Sequence, residues 1–130
     1  MANANEQVVR DAANAMMTGA MDDLGSLLAD DIALHVPGSN QLSGDYKGNT
    51  SFFEDFVGKI MGLTGGAFQL EPHDFASSDD HVVGMYTLKA TRDGKEFSWN
   101  HVNVYHVRDG KIAEIWQHPG DTLAWNDFWS

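Results

Sequence analysis

The sequence predicts an α+β fold in which helices cover the concave face of a strongly curved, mostly antiparallel sheet. Three observations carry that expectation. Apolar residues recur at helical spacing in the first half, as Val9, Ala12, Ala13, Met16 and Met17 and again as Phe52, Phe53, Phe56, Val57 and Ile60. From Ala67 onward the period falls to two, giving strand-like runs at 68–75, 81–91, 96–107 and 111–118. The links between these runs are short and polar, and two of them contain Asp-Gly, so consecutive strands should form a meander of hairpins rather than parallel crossovers.

Taken in order, residues 6–18 read as a helix with Asn5 as N-cap and Gly19 as its stop. A second helix, 21–29, offers Leu24, Leu27 and Leu28 to the core. Residues 32–36 form a strand ended by Pro37-Gly38, and 39–50, rich in Gly, Ser, Asn and Asp, form a loop over the surface or a pocket mouth. Ser51 and Glu54 spell a capping box that opens a third helix to about residue 61. The aromatic tail is too apolar to stay loose, and Trp125, Phe128 and Trp129 should pack down.

At 130 residues the chain is expected to be one domain, residues 1–130, burying roughly two thirds of its unfolded surface without a staple. It has no cysteine, which removes thiol chemistry, disulfides and Cys-based zinc sites. A net charge of -11 repels nucleic-acid backbones and anionic membranes, so neither is expected as a partner. The first residues lack a basic and an apolar targeting region, and no apolar run spans a bilayer; a cytoplasmic protein is expected.

The stretch 97–121 organises the functional reading. With Asp109-Gly110 as a two-residue turn, Tyr105 faces Glu114, Asn103 faces Trp116 and His101 faces His118. One face then carries Trp99, His101, Asn103, Trp116 and His118, the composition of a small-molecule pocket wall, and the other carries Val102, Val104 and Ile115. A three-residue loop would instead bring Gln117 opposite His101.

The order of elements, GDYKG before a Phe-rich helix, WNHVNVYHVRDGKIAEIW in the last hairpin and the terminal DTLAWNDFW together resemble the nuclear transport factor 2-like superfamily, in its SnoaL-like branch related to polyketide cyclases and steroid isomerases. The resemblance implies a cystatin-like cone, three helices against a curved sheet, and a homodimer. It identifies no single reaction, because this scaffold hosts isomerases, dehydratases, epoxide hydrolases, cyclases and non-catalytic binders. Steroid isomerases place a general-base Asp just before a Pro after the second helix, where this chain has Val36-Pro37 with His35 one position earlier. Their oxyanion-binding Asp is matched most nearly by Asn103, so the steroid-isomerase mechanism does not carry over. The resemblance to SnoaL-type cyclases maps a strand His onto His101 and an Asp after the last strand's Trp onto Asp121.

The expected function is therefore small-molecule binding, with a cofactor-independent isomerase, lyase or cyclase using general acid and base chemistry next to a carbonyl; the alternative is a binding or dimerisation module without chemistry. His101 or His118 would be the acid or base, Asp121 would fix its tautomer and Asn103 would bond the developing oxyanion. Equally, both histidines could be half-exposed and satisfied by neighbours. His35 could be a third base or a backbone-bonded core residue. Trp99, Trp116, Tyr46 and Phe56 are expected to line the apolar substrate volume. No cofactor or metal is expected, since His35, His101 and His118 lack any ligand spacing. Val102, Val104 and Ile115 would pair two copies.

Overall fold

The computed structural model describes residues 3–130. The chain runs α1 (Ala4–Thr18), α2 (Met21–Ser26), β1 (Leu28–Val36), β2 (Gly44–Lys47), a π-helical segment (Ser51–Val57) continuing as α3 (Gly58–Thr64), β3 (Phe68–Ser77), β4 (His81–Arg92), β5 (Lys95–Arg108), β6 (Lys111–Pro119) and α4 (Thr122–Phe128). The six strands form one curled sheet in the order β2-β1-β6-β5-β4-β3. Among the described residues, only β1 and β6 pair in parallel. The α+β expectation holds, with a fourth, C-terminal helix added to the three foreseen. No helix among the described residues is long and apolar enough to cross a membrane.

Local chemistry sets the element ends. Asn3, not Asn5, caps α1, its side chain accepting from the Glu6 amide at 2.7 Å, and Gly19 stops the helix at φ 73°. Asn5 instead donates to the Asp79 carbonyl at 2.8 Å. The second helix ends sooner than expected because the Ile112 amide donates to the Leu27 carbonyl at 2.8 Å, drawing the chain into the sheet beside β6. Ser51 lies inside its helix and donates to Asp55 at 2.9 Å, so the predicted capping box does not form. Part of the predicted loop, Gly44–Lys47, is an edge strand, with Asp45 opposite His35 and Tyr46 opposite Leu34.

Both Asp-Gly turns have two positive φ angles, 52° and 76° at Asp93-Gly94 and 53° and 74° at Asp109-Gly110. This is the type I′ geometry whose twist matches that of the flanking strands. Beyond the second turn, however, the register departs from the expected one. Val107 faces Ile112 as anticipated, but Ala113 is an extra residue, and His106 then faces Glu114, Tyr105 faces Ile115, Asn103 faces Gln117 and His101 faces Pro119. A β-bulge in β6 therefore slips the pairing by one, and every later β6 side chain changes face.

The tail packs as its composition requires. Phe128 and Trp129 meet edge to face at 4.7 Å, Trp125 is buried, and Arg92 donates to the carbonyls of Phe128 and Ser130 at 2.8 Å each. Trp129 is fully buried, yet among the described residues its indole Nε1 has no hydrogen-bond partner. Replacing Trp129 by Phe removes an unsatisfied donor worth about 1–3 kcal/mol along with some apolar contact, whereas Ala leaves a cavity costing about 3–5 kcal/mol. Denaturant unfolding should accordingly show Trp129→Phe within about 1 kcal/mol of the native protein and Trp129→Ala well below both; equal losses would mean that the orphaned donor carries no cost.

Candidate functional site

The inner face of the sheet and the helices enclose a cavity of about 70 Å³. Its apolar wall comes from α1 (Ala12, Ala13, Met16), the third helical unit (Phe52, Phe56, Ile60) and inward strand residues such as Leu34, Leu88 and Ile115. Five polar side chains also line it: Tyr86, His101, Asn103, Tyr105 and Gln117. Among the described residues, no Asp, Glu, Lys or Arg does so.

Strand alternation puts these groups together. His101, Asn103 and Tyr105 are successive inward residues of β5, Tyr86 faces His101 across β4, and Gln117 faces Asn103 across β6. Four of the five form a hydrogen-bonded chain. His101 Nε2 lies 2.9 Å from Asn103 Oδ1, Asn103 Nδ2 donates to the Tyr105 hydroxyl at 3.1 Å, and the Tyr105 and Tyr86 hydroxyls are 2.6 Å apart. Because an amide oxygen can only accept, the His101 proton sits on Nε2 and Nδ1 is left with its lone pair. Among the described residues, that Nδ1 and Gln117 Oε1 are buried and find no partner.

Gly84 makes this chain possible. A Cβ at that position would stand 2.4 Å from the Tyr86 hydroxyl, so the glycine leaves the space over which the Tyr86 side chain leans to reach Tyr105. Burial lowers the His101 pKa to about 4, against a smaller opposing contribution from the Asn103 bond, and the imidazole is neutral at physiological pH. Burial likewise raises the pKa of both tyrosines, keeping them protonated. Trp125 of α4 stacks on His101 with ring centroids 5.5 Å apart, which fixes the imidazole plane.

Of the residues expected at the site, His101, Asn103 and Phe56 line the cavity. The others are elsewhere. His118 and Trp116 lie on the convex face, opposite Val102 and Val104, because the Ala113 bulge reversed their sides. Asp121 does not fix a histidine tautomer; its carboxylate caps α4, accepting from the Ala124 amide at 3.0 Å. Trp99 is 45% exposed, and the indole lies against Gly120. Tyr46 is half-buried, packs edge-on against Phe56 at 5.3 Å and donates to the Leu42 carbonyl. The sequence reading does not place Tyr86 or Tyr105 at the site, and it brings Gln117 near His101 only through a longer turn, which does not form. Tyr105 shares the parity of His101 and Asn103, and Gly84, a glycine inside a strand two residues before Tyr86, was a readable sign of close packing.

His35 is neither a core histidine nor a cavity residue. On the convex face it bridges three strands, with Nδ1 2.8 Å from Asp45 of β2 and Nε2 2.5 Å from Glu114 of β6. It stacks on Trp116 at 5.8 Å, and Trp116 in turn neighbours His81, which stacks on His106. The Asp45 bond, followed by that to Glu114, raises the His35 pKa above its usual value despite partial burial.

A cone-shaped α+β fold with a mostly apolar inner cavity and a short inward polar chain defines a class of small-molecule-pocket scaffolds. A family model for the SnoaL-like domain matches residues 9–115, and the chain belongs to that family. It is similar to an uncharacterized protein of Mycobacterium tuberculosis, 26% identical over 98% of each chain. Among solved structures it is similar to Bal32a from a soil-derived mobile gene cassette, with 31% identity, a TM-score of 0.92 and coverage of 98% of this chain and 97% of that one. A protein of unknown function with a cystatin-like fold from Xanthomonas campestris matches with 26% identity and a TM-score of 0.90, over 97% of this chain and 98% of that one.

The His35 bridge has a definite pH signature. A histidine whose folded pKa is raised stabilises the fold fully below its unfolded value of about 6.5 and loses that contribution as pH climbs through the folded pKa. The stability difference between the native protein and a His35→Asn variant should thus be larger at pH 6 than at pH 9, by about 1 kcal/mol or less for so exposed a bridge. A difference that stays constant across that range in denaturant unfolding would show that the imidazole is not held as a cation.

Proposed function

We propose that the protein binds a small, mostly apolar molecule in the cavity beneath β4, β5 and β6. The observation that carries this reading is the pair of buried, unpartnered polar atoms, His101 Nδ1 and Gln117 Oε1, in a wall that is otherwise apolar or internally satisfied. An unsatisfied buried group costs about 1–3 kcal/mol, so a ligand that bonds to either one recovers what the empty protein forgoes. Apolar lining with a few placed polar atoms is the usual make-up of a specific small-molecule site. Membership of a family whose scaffold hosts ligand pockets supports the same reading.

A second reading adds proton transfer, making the protein a cofactor-independent isomerase, lyase or cyclase. The free Nδ1 lone pair favours it, since a neutral imidazole is ready to take a proton from a bound molecule. With a pKa near 4 it is a weak base and suits only unusually acidic protons, such as one on carbon between two carbonyls. Asn103 holds the tautomer in place of Asp121, and His118 and Asp121 lie outside the mechanism.

The convex face supports a homodimer. Val83, Val104 and Trp116 lie in one cross-strand row with Met85 and Val102 beside them, all half-buried. Ile115 drops out of the expected contact because it points inward. On this reading two copies meet through that apolar strip.

Toluene, a donorless apolar probe, should raise the melting temperature of the native protein, with the stabilisation growing as the logarithm of its concentration once the site is saturated. Ala13→Phe, which fills the cavity from α1, should abolish that rise while leaving the far-ultraviolet circular dichroism unchanged. An identical rise in the variant would place toluene elsewhere and sink the cavity reading. For the dimer, light scattering at micromolar concentration should give twice the 14.3 kDa chain mass, and Val104→Glu should halve it; a native monomer would remove the assembly.

A further inference from the structure

The two buried atoms of the cavity wall that lack a partner among the described residues are of one kind. His101 Nδ1 is an acceptor because its ring proton is committed at Nε2 to Asn103 Oδ1, and Gln117 Oε1 is an acceptor by nature. Among the described residues, no hydroxyl or amide nitrogen of the wall is buried without a partner. The Asn103 amide is turned toward Tyr105, and the Tyr105 and Tyr86 hydroxyls bond each other. Asn103 and Gln117 are direct cross-strand partners and His101 is the next inward residue of β5, so the residues that carry the two open acceptors are neighbours in the cavity wall. Among the described residues no charged side chain lines the space, and an ionised ligand would enter without a counter-charge at a cost of several kcal/mol.

Resting on the small-molecule reading above, we propose that the cavity selects an uncharged ring compound that donates hydrogen bonds, such as a phenol, an enol or a cyclic alcohol, and discriminates against the corresponding ether, aldehyde and carboxylate. The donated proton goes to His101 Nδ1, with Gln117 Oε1 as a second acceptor. Discrimination follows from the cost of leaving a buried acceptor unpaired. An ether of the same shape fills the volume but leaves both acceptors bare, and an aldehyde oxygen set against them adds lone-pair repulsion. Size points to a small ring system. One buried water needs roughly 10–15 Å³, and the cavity offers about five times that.

The experiment uses the native protein with nitrogen-15 in its histidines, titrated at pH 7 with phenol, anisole, benzaldehyde and toluene. Nitrogen NMR should show His101 Nδ1 as the bare nitrogen and Nε2 as the protonated one, and phenol should shift the Nδ1 resonance toward the hydrogen-bonded position. Phenol should bind at least tenfold more tightly than anisole or benzaldehyde, and Gln117→Leu, which leaves His101 untouched, should narrow that ratio severalfold. A proton found on Nδ1, or anisole or benzaldehyde binding as well as phenol, would overturn the donor selectivity while toluene binding still upheld the cavity. Failure of all four probes to bind would overturn the small-molecule reading itself, and this proposal with it.

Discussion

One extra residue in β6 decides what each face of the sheet carries. The turn at Asp109-Gly110 sets the hairpin with Arg108 facing Lys111, and Ala113 then absorbs one position before pairing resumes at Glu114. Because strand side chains alternate, this single insertion turns Ile115 and Gln117 inward and Glu114, Trp116 and His118 outward. The inward pair completes the cavity wall, and Glu114 and Trp116 of the outward set meet His35. Ile112 and Ala113 are both buried, as two neighbours on a bulge can be. The same end of β6 receives β1 in parallel, and β1 has its own irregularity there, between Leu28 and Ala33. Both strands adjust where the sheet changes from antiparallel to parallel pairing.

The inward polar chain survives because packing holds each member. Trp125 stacks on His101 from α4, Asp121 fixes the start of that helix, and Arg92 bonds the carbonyls at its end. The tail is thus part of the site's support although it contributes no lining residue. Asp121 therefore acts on His101 only through the helix it caps. Such a network is costly when half satisfied, and here its inner links are all made while its terminal acceptor is left open.

Much of the fold was legible in the sequence because it rests on local rules. Helical and strand periods located α1, the third helix and the last four strands, and Asp-Gly located both type I′ turns. The edge strand Gly44–Lys47 was hidden because its pairing to β1 is a tertiary event in a segment rich in turn-forming residues. The site was legible only in part. His101, Asn103 and Phe56 follow from period and composition, and Tyr105 could have followed from parity alone. Trp116 and His118 could not be placed, because no residue type marks a bulge the way glycine marks a positive φ; Ala113 looks like any small strand residue. A longer turn would slip the pairing in the opposite direction; the extra residue lies within the strand instead. The apolar sequence neighbours of His35 carry no sign of its partners, which come from two other strands.

The distribution of charge separates the two faces. The chain carries a formal charge of -11, yet no carboxylate lines the cavity among the described residues; the acids that meet histidines, Asp45, Glu114 and Asp80, do so on the convex side or at its rim. The two environments act oppositely on the same side-chain type. Outside, carboxylates hold the His35 imidazole toward its cationic form, while inside, burial without a counter-charge keeps the His101 imidazole neutral. A neutral His101 retains the lone pair that gives the cavity its only strong acceptor on a ring nitrogen, and a carboxylate beside it would have turned that acceptor into a donor. The absence of Asp at the cavity wall, which first reads as a missing catalytic group, is thus what keeps the imidazole able to accept.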